Sequence, residues 1–266
     1  MKAIISSTFD DQYLFYLPIT TWLWGKLGVG VICFMPTPIQ EEWLKLNTVQ
    51  KYSNAQLHFF DAPEHKKATY AQCSRLYAAA LNLPDDEILI TSDIDMAVFS
   101  VPKYSSGGLF TIFGKDLVPE KQYPMCYISA SAELWRKAFN PNNKSLQDCL
   151  DELLGNIECE NMRGNYWCLD QEKAYNVISK DDFKISIPRA IPGTQFASNR
   201  IDREDIFFMD RLSPDIIDYH MHRPGYTDEN FSKILSVIRY FYPNDDLSWM
   251  ERYQQQYKNL VENGNN

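Results

Sequence analysis

Ile88-Leu89-Ile90-Thr91-Ser92-Asp93-Ile94-Asp95 is the stretch that decides the fold. Its apolar run follows the turn signal Pro84-Asp85-Asp86 and reads as a buried parallel strand. Ligands of open α/β sheets bind beyond the carboxyl ends of such strands, which is where Asp93 and Asp95 fall. If the extended geometry runs on through Asp95, a period of two sends both carboxylates to one side, roughly 7 Å apart. A divalent cation can then be reached by one or both. Mg²⁺ and Mn²⁺ prefer carboxylate oxygens and commonly share their remaining positions with substrate phosphates. The plain alternative is a pair of solvated loop acids, and a position directly after a buried strand weighs against it.

Upstream of this strand, β and α patterns alternate. Lys2 to Ser7 reads as a strand, Gln12 to Leu27 as a helix and Val29 to Met35 as a second strand. Ile39, Trp43, Leu46 and Val49 carry a helical spacing over Ile39 to Lys51, Gln56 to Phe60 is a third strand, and Lys66 to Leu81 is a helix ended by Asn82 and Pro84. Alternation of this kind predicts a parallel sheet covered by helices. Downstream, Leu109 to Phe113 and Met125 to Ser129 predict further strands in a mixed second half. Helices follow over Ala132 to Phe139, from a Ser145 cap through Leu154 to Gly155, and over Leu169 to Ile178. Phe183 to Ile187 is a strand, Pro188 to Asp205 is irregular and polar, and Asn230 to Tyr242 and Leu247 to Val261 close the chain as helices. The fold class is therefore α/β, with a mostly parallel central sheet and flanking helices.

At 266 residues and 45% hydrophobic content the chain can bury a sizeable core. Its net charge is −9 with no long basic run, which argues against a nucleic-acid partner. An acidic protein that binds a diphosphate needs a local source of positive charge, and a metal on Asp93 and Asp95 would supply it. No stretch approaches the roughly 20 apolar residues of a membrane span. Met1-Lys2 opens straight into the strand-like Ala3-Ile4-Ile5, so no secretory signal is expected. The six cysteines are scattered with no C-x-x-C pair, and reduced thiols in a cytoplasmic compartment are the simplest account.

Three motifs stand in order along the chain, the first of them composite. Arg75-Leu76-Tyr77 precedes Leu83-Pro84-Asp85 and Ile88-Leu89-Ile90; Asp93-Ile94-Asp95 follows; then come Trp167-Cys168-Leu169-Asp170-Gln171 and His222-Arg223-Pro224-Gly225. In this order they resemble a GT-A type glycosyltransferase, the nucleotide-diphospho-sugar transferase fold, nearest to glycogenin-like and related galactosyltransferases. The resemblance implies a GT-A domain over 1–242, with a nucleotide-binding half at 1–100 and an acceptor-binding half at 101–242; residues 243–266 form a C-terminal helical extension. It implies a DXD motif with Mn²⁺ or Mg²⁺, a nucleotide-diphospho-sugar donor, UDP being the commonest nucleotide, and a hydroxyl acceptor on a carbohydrate, glycoprotein or small molecule. It leans toward retention of anomeric configuration. The chain departs from the pattern after Gly225, where Tyr226-Thr227-Asp228 lacks the usual Lys, so diphosphate contact must come from elsewhere.

Roles follow motif by motif. Asp95 would bind the cation directly, and Asp93 would bind it through water or hold ribose and sugar hydroxyls; either order is possible. His220 and His222 alternate on an extended segment, so one faces the site, and His222 is the motif match as third ligand. Thr8, Phe9 and Asp10 follow the first strand, where base and ribose would lie, although a polar turn with an acidic N-cap explains them equally well. Arg75 would touch diphosphate or sugar, while Gln171 and Gly225 join the donor contacts by motif. Asp170 would accept from sugar hydroxyls or act as general base on the acceptor; the bland reading is an acid favoured by a helix N-terminus.

Two rival enzymes fit less well. A sugar nucleotidyltransferase would carry a Gly-rich, basic loop after its first strand, which Ser6-Ser7-Thr8-Phe9-Asp10 is not. A haloacid dehalogenase-type phosphatase needs Thr or Val where Ala97 stands. A non-catalytic sugar-binding module on the same scaffold is the reading from another class.

Overall fold

Neighbouring residues of the first strands face opposite cores. Ala3 and Ile5 join one apolar cluster and Ile4 the other; Val31, Cys33 and Met35 separate in the same way from Ile32 and Phe34. Strands with both faces buried read as continuous apolar runs, the signature of a parallel sheet sandwiched by helices. The structure, a computed structural model, describes residues 1–38, 54–101, 108–113, 121–155, 157, 168–179, 183–187, 200–204, 210 and 212–264.

β1 (Lys2–Ser6), β2 (Gly30–Pro36), β3 (Ala55–Phe60) and β4 (Ile88–Thr91) pair in parallel in the order β3-β2-β1-β4. Beyond them the chain adds β5 (Met96–Val98), β6 (Phe110–Ile112), β7 (Ile128–Ser131) and β8 (Ile185–Ser186). β7 runs antiparallel to both β4 and β6, and β8 completes a seven-stranded mixed sheet in the order β3-β2-β1-β4-β7-β6-β8. β9 (Arg200–Ile201) and β10 (Asp218–His220) join β5 in a second, three-stranded sheet. The chain winds from β1 outward to β3 and then crosses to β4 on the other side of β1. That reversal sits between β1 and β4, and the crevice beyond their carboxyl ends is where an α/β sheet takes ligands.

The helices differ from expectation at informative places. The helix expected over Gln12 to Leu27 is two pieces, α1 (Asp11–Leu14) and α2 (Leu17–Lys26); Asp10 caps the first and Pro18 sits in the opening turn of the second. The helix expected over Lys66 to Leu81 is α3 (Lys67–Ser74) continued by a 3₁₀ segment, Arg75–Ala80. α4 (Ala132–Phe139) and α5 (Leu146–Leu154) start where Ser131 and Ser145 accept the amides of Leu134 and Asp148. α6 (Leu169–Ile178), α7 (Asp228–Phe241) and α8 (Ser248–Gly264) follow. α8 is part of the core: Trp249, Met250, Tyr253 and Tyr257 are buried, the two tyrosines against Phe15 and Trp249 beside Trp22, and the Tyr257 hydroxyl donates to Asp11 O at 2.9 Å. The helix expected over Ile39 to Lys51 lies outside the described residues. No helix among the described residues is long and apolar enough to cross a membrane.

Candidate active site

The carboxyl end of β4 delivers Asp93 and Asp95, but not as a continuing strand. β4 ends at Thr91, Ile94 and Asp95 form a turn closed by Met96 N–H donating to Asp93 O at 3.3 Å, and β5 begins at Met96. The expectation that strand periodicity aligns the two carboxylates is thereby corrected. The turn separates them, and each acid has its own set of partners.

Asp93 belongs to an anion-rich group. Arg75, the first residue of the 3₁₀ segment, is buried and lies between two carboxylates: Nη1 donates to Asp93 Oδ1 and to Ser92 O at 3.0 Å, and Nη2 donates to Asp170 Oδ2 at 2.7 Å. Burial works against the Arg75 charge, yet Asp93 and Asp170 outweigh it and raise its pKa. Asp170 side-chain exposure is only 2%, and its Oδ1 accepts the Gln171 amide at 2.9 Å in the first turn of α6. Burial is the chief reason its pKa is raised, with Arg75 pulling the other way. Asp93, 37% exposed, also accepts from the Cys126 thiol at 3.2 Å. Desolvation opposes its charge, but Arg75 prevails and its pKa is lowered.

Asp95 is surrounded by cations. Its carboxylate is 5% exposed, and one oxygen, Oδ2, meets Arg203 Nη1 at 3.0 Å, His220 Nε2 at 3.2 Å and Arg223 Nε at 3.3 Å. Burial alone would favour the neutral acid; His220 and the two arginines override it and hold Asp95 ionised far below the usual carboxylate range. His220 also faces Asp202, Nδ1 to Oδ2 at 3.6 Å. Its pKa is pushed up to about 9, since Asp202 and Asp95 outweigh both burial of the ring and the adjacent Arg203. Antiparallel pairing of β10 with β5 sets this geometry, placing His220 opposite Met96 and letting Met221 N–H donate to Asp95 O at 2.9 Å. Behind it, Arg200 on β9 and Asp218 on β10 form a buried two-point ion pair at 2.6 and 3.1 Å, and the Tyr127 hydroxyl donates to the same Asp218 at 2.7 Å. That pair fixes the strand from which Arg203 extends.

The remaining expected residues fall around these two groups. His222 turns Nδ1 to the Tyr219 hydroxyl, and the Tyr16 hydroxyl donates to its backbone carbonyl; burial lowers its pKa. Of the two histidines, His220 is the one beside Asp95. Asp10 uses Oδ1 to accept the Gln12 amide at 2.8 Å, Thr8 O accepts from Ser7 Oγ at 2.8 Å, and Phe9 packs on the core, so this segment is built as a capped turn. Gly225 is required by packing: a Cβ there would lie 2.6 Å from Tyr16 Cε1 and 2.8 Å from Phe15 Cδ1. Arg223 lies over the Tyr13 ring, 4.9 Å from its centroid, and donates to the Tyr13 hydroxyl. Tyr13 is on α1, immediately after the Thr8–Asp10 turn.

Oxygen donors and an acid held ionised suit Mg²⁺ or Mn²⁺ in kind. The arrangement is not pre-assembled, because no three His, Cys, Asp or Glu side chains among the described residues converge to hold a metal ion. Arg203, Arg223 and His220 share the Asp95 oxygen instead. Arg203, Cys126 and Tyr13 were not among the expected site residues, and no motif in the sequence marks them.

The central sheet, its switch point and the covering helices define the GT-A glycosyltransferase fold. A galactosyltransferase, LgtC, solved in complex with donor and acceptor sugar analogues, is similar at a TM-score of 0.50 and 11% identity, over 97% of this chain and 96% of that one. The glycosyltransferase GlyE of Streptococcus pneumoniae TIGR4 matches at 0.41 and 10% identity, over 70% of this chain and 44% of that one. No protein-family model matches the sequence, and no curated protein matches it either.

Proposed function

We propose that this protein is a metal-dependent glycosyltransferase that moves a sugar from a nucleotide diphosphate sugar, UDP-linked, to a hydroxyl of a carbohydrate or glycoprotein acceptor. The observation that carries the reading is the charge polarity of the site. Cations gather on Asp95 at one end, and the carboxylates of Asp93 and Asp170 flank Arg75 at the other, both at the switch point of the sheet. A diphosphate suits the cationic end, while sugar hydroxyls, which are hydrogen-bond donors, suit the carboxylates.

In this reading the Thr8–Asp10 turn and Phe9 hold the nucleoside, with Arg223 and Tyr13 forming the wall next to it. Asp93, Asp95 and His222 would hold Mn²⁺ or Mg²⁺, which when bound neutralises charge developing on the departing diphosphate. Asp93 presents its exposed edge to the sugar. Asp170 acts on the sugar side through Arg75: with Oδ2 on the guanidinium and Oδ1 on its own helix, it is better suited to orienting than to taking a proton. Gln171 shares that helix start, and Gly225 lets the His222 segment pack against Tyr16. Among the described residues Cys33, Cys73, Cys126, Cys149 and Cys168 are in no disulfide, in keeping with a cytoplasmic setting.

A thermal-shift screen of nucleotide sugars with Mn²⁺, followed by a transfer assay on the stabilising donor, tests the reading. A true donor at a hundred times its Kd stabilises the fold by about 2.7 kcal/mol, a shift of several degrees. If no nucleoside diphosphate or nucleotide sugar moves the transition, the reading is wrong.

A further inference from the structure

The oxygen of Asp95 carries more positive charge than one carboxylate neutralises. Arg203 and Arg223 approach it from different elements, one following β9 and the other following β10, and neither is locked by a second acid among the described residues. Their other contacts are neutral or cationic: Arg203 donates to Met221 O at 3.3 Å and lies against His220, and Arg223 lies on Tyr13. Arg223 is 26% exposed, so its guanidinium is accessible from solvent. The segment after Gly225, Tyr226-Thr227-Asp228, offers no cation of its own. An anion with several oxygens arriving at this end would find two guanidiniums already facing one acceptor atom, and planar guanidinium groups match phosphate oxygens two at a time.

We propose that Arg203 and Arg223 are the diphosphate clamp of the donor site, held on Asp95 until a donor arrives, and that they thereby keep the metal off Asp95 in the donor-free protein. The proposal rests on the nucleotide-sugar reading for the identity of the donor. In the free protein the arginines and a divalent cation compete for the same carboxylate. A diphosphate draws the guanidiniums away and leaves Asp95 to the metal, so metal and donor bind with positive coupling, each raising the affinity of the other. His220, flanked by Asp202 as well as Asp95, stays in place as the fixed neighbour of the site.

The test is a set of titrations on the full chain: Mn²⁺ alone by electron paramagnetic resonance, then inorganic pyrophosphate and UDP by calorimetry, for wild type, Arg203→Gln, Arg223→Gln and the two Arg→Lys variants. Removing one guanidinium is expected to tighten binding of Mn²⁺ alone severalfold while weakening pyrophosphate and Mn²⁺-supported UDP by roughly tenfold to a hundredfold, the worth of a charge-assisted hydrogen bond. Lysine should restore part of the pyrophosphate affinity. Opposite signs distinguish this from a structural role, which would weaken both ligands. Weaker Mn²⁺ binding in both glutamine variants, or unchanged pyrophosphate affinity in both, overturns the proposal. Pyrophosphate binding that depends on the arginines without any UDP binding upholds the clamp and refutes the donor reading. UDP binding indifferent to both arginines does the reverse.

Discussion

The two ends of the site arrange buried charge in opposite ways. Around Arg75 a single guanidinium is shared by two carboxylates, and two of the three groups are almost completely buried. Around Asp95 a single carboxylate is shared by two guanidiniums and an imidazole, with Arg223 partly open to solvent. The first arrangement is closed and rigid, because removing its centre strands acids in a low-dielectric interior. The second has cations to spare, one of them within reach of solvent. In the proposed reaction a leaving diphosphate and a sugar ring make different demands, and the two ends are assigned to them on that contrast.

Breaking the closed end should have the largest effect on folding. Arg75→Ala leaves Asp170 buried without its counter-charge, and the expected loss is about 3–5 kcal/mol in urea denaturation. Arg223→Gln, at the open end, should cost less than about 1 kcal/mol. Equal losses would erase the distinction. Asp170→Asn comes next: UDP binding should persist while the transfer rate falls by about 10²-fold as Arg75 and the sugar lose their alignment, measured as product formed under saturating donor. Loss of Mn²⁺ binding in that variant would move Asp170 into the metal shell, and a wild-type rate would remove it from the reaction. The smallest effect concerns Asp202, whose carboxyl is held at about 2 chiefly by the neighbouring His220. In His220→Ala its resonance should titrate near the ordinary value of about 3.9. Since the folded pKa is depressed, the contribution of Asp202 to stability is present above about pH 4 and is lost as pH falls through about 2. A midpoint unchanged by the substitution would mean that another group holds Asp202.

The frame was legible because buried parallel strands write their pattern in the sequence. Ile4-Ile5, Val31 to Met35 and Ile88 to Ile90 are apolar on both faces, and the helical spacing between them leaves few topologies. Asp93 and Asp95 stood out by their place after that frame, and Arg75 and Asp170 by the order of the motifs. What stayed hidden depends on short-range breaks and long-range pairing. A 3₁₀ segment starting at Arg75, a turn at Ile94 and Asp95, and strands of two or three residues at β5, β9 and β10 are too brief to show a period. Arg203 follows β9 within a stretch that reads as irregular and polar, and only the pairing of β9, β10 and β5 brings it to Asp95, 108 residues away in sequence. That His220 and not His222 lies beside Asp95 likewise rests on the register of β10, which no local signal encodes.

The most direct test of the account is the ratio of UDP affinity in Mn²⁺ to that in EDTA, measured by calorimetry for wild type and Asp95→Ala. The account predicts a wild-type ratio of roughly ten or more and a ratio near one in the variant, with the fold intact by circular dichroism. Equal UDP affinity in Mn²⁺ and EDTA for the wild-type protein would contradict it.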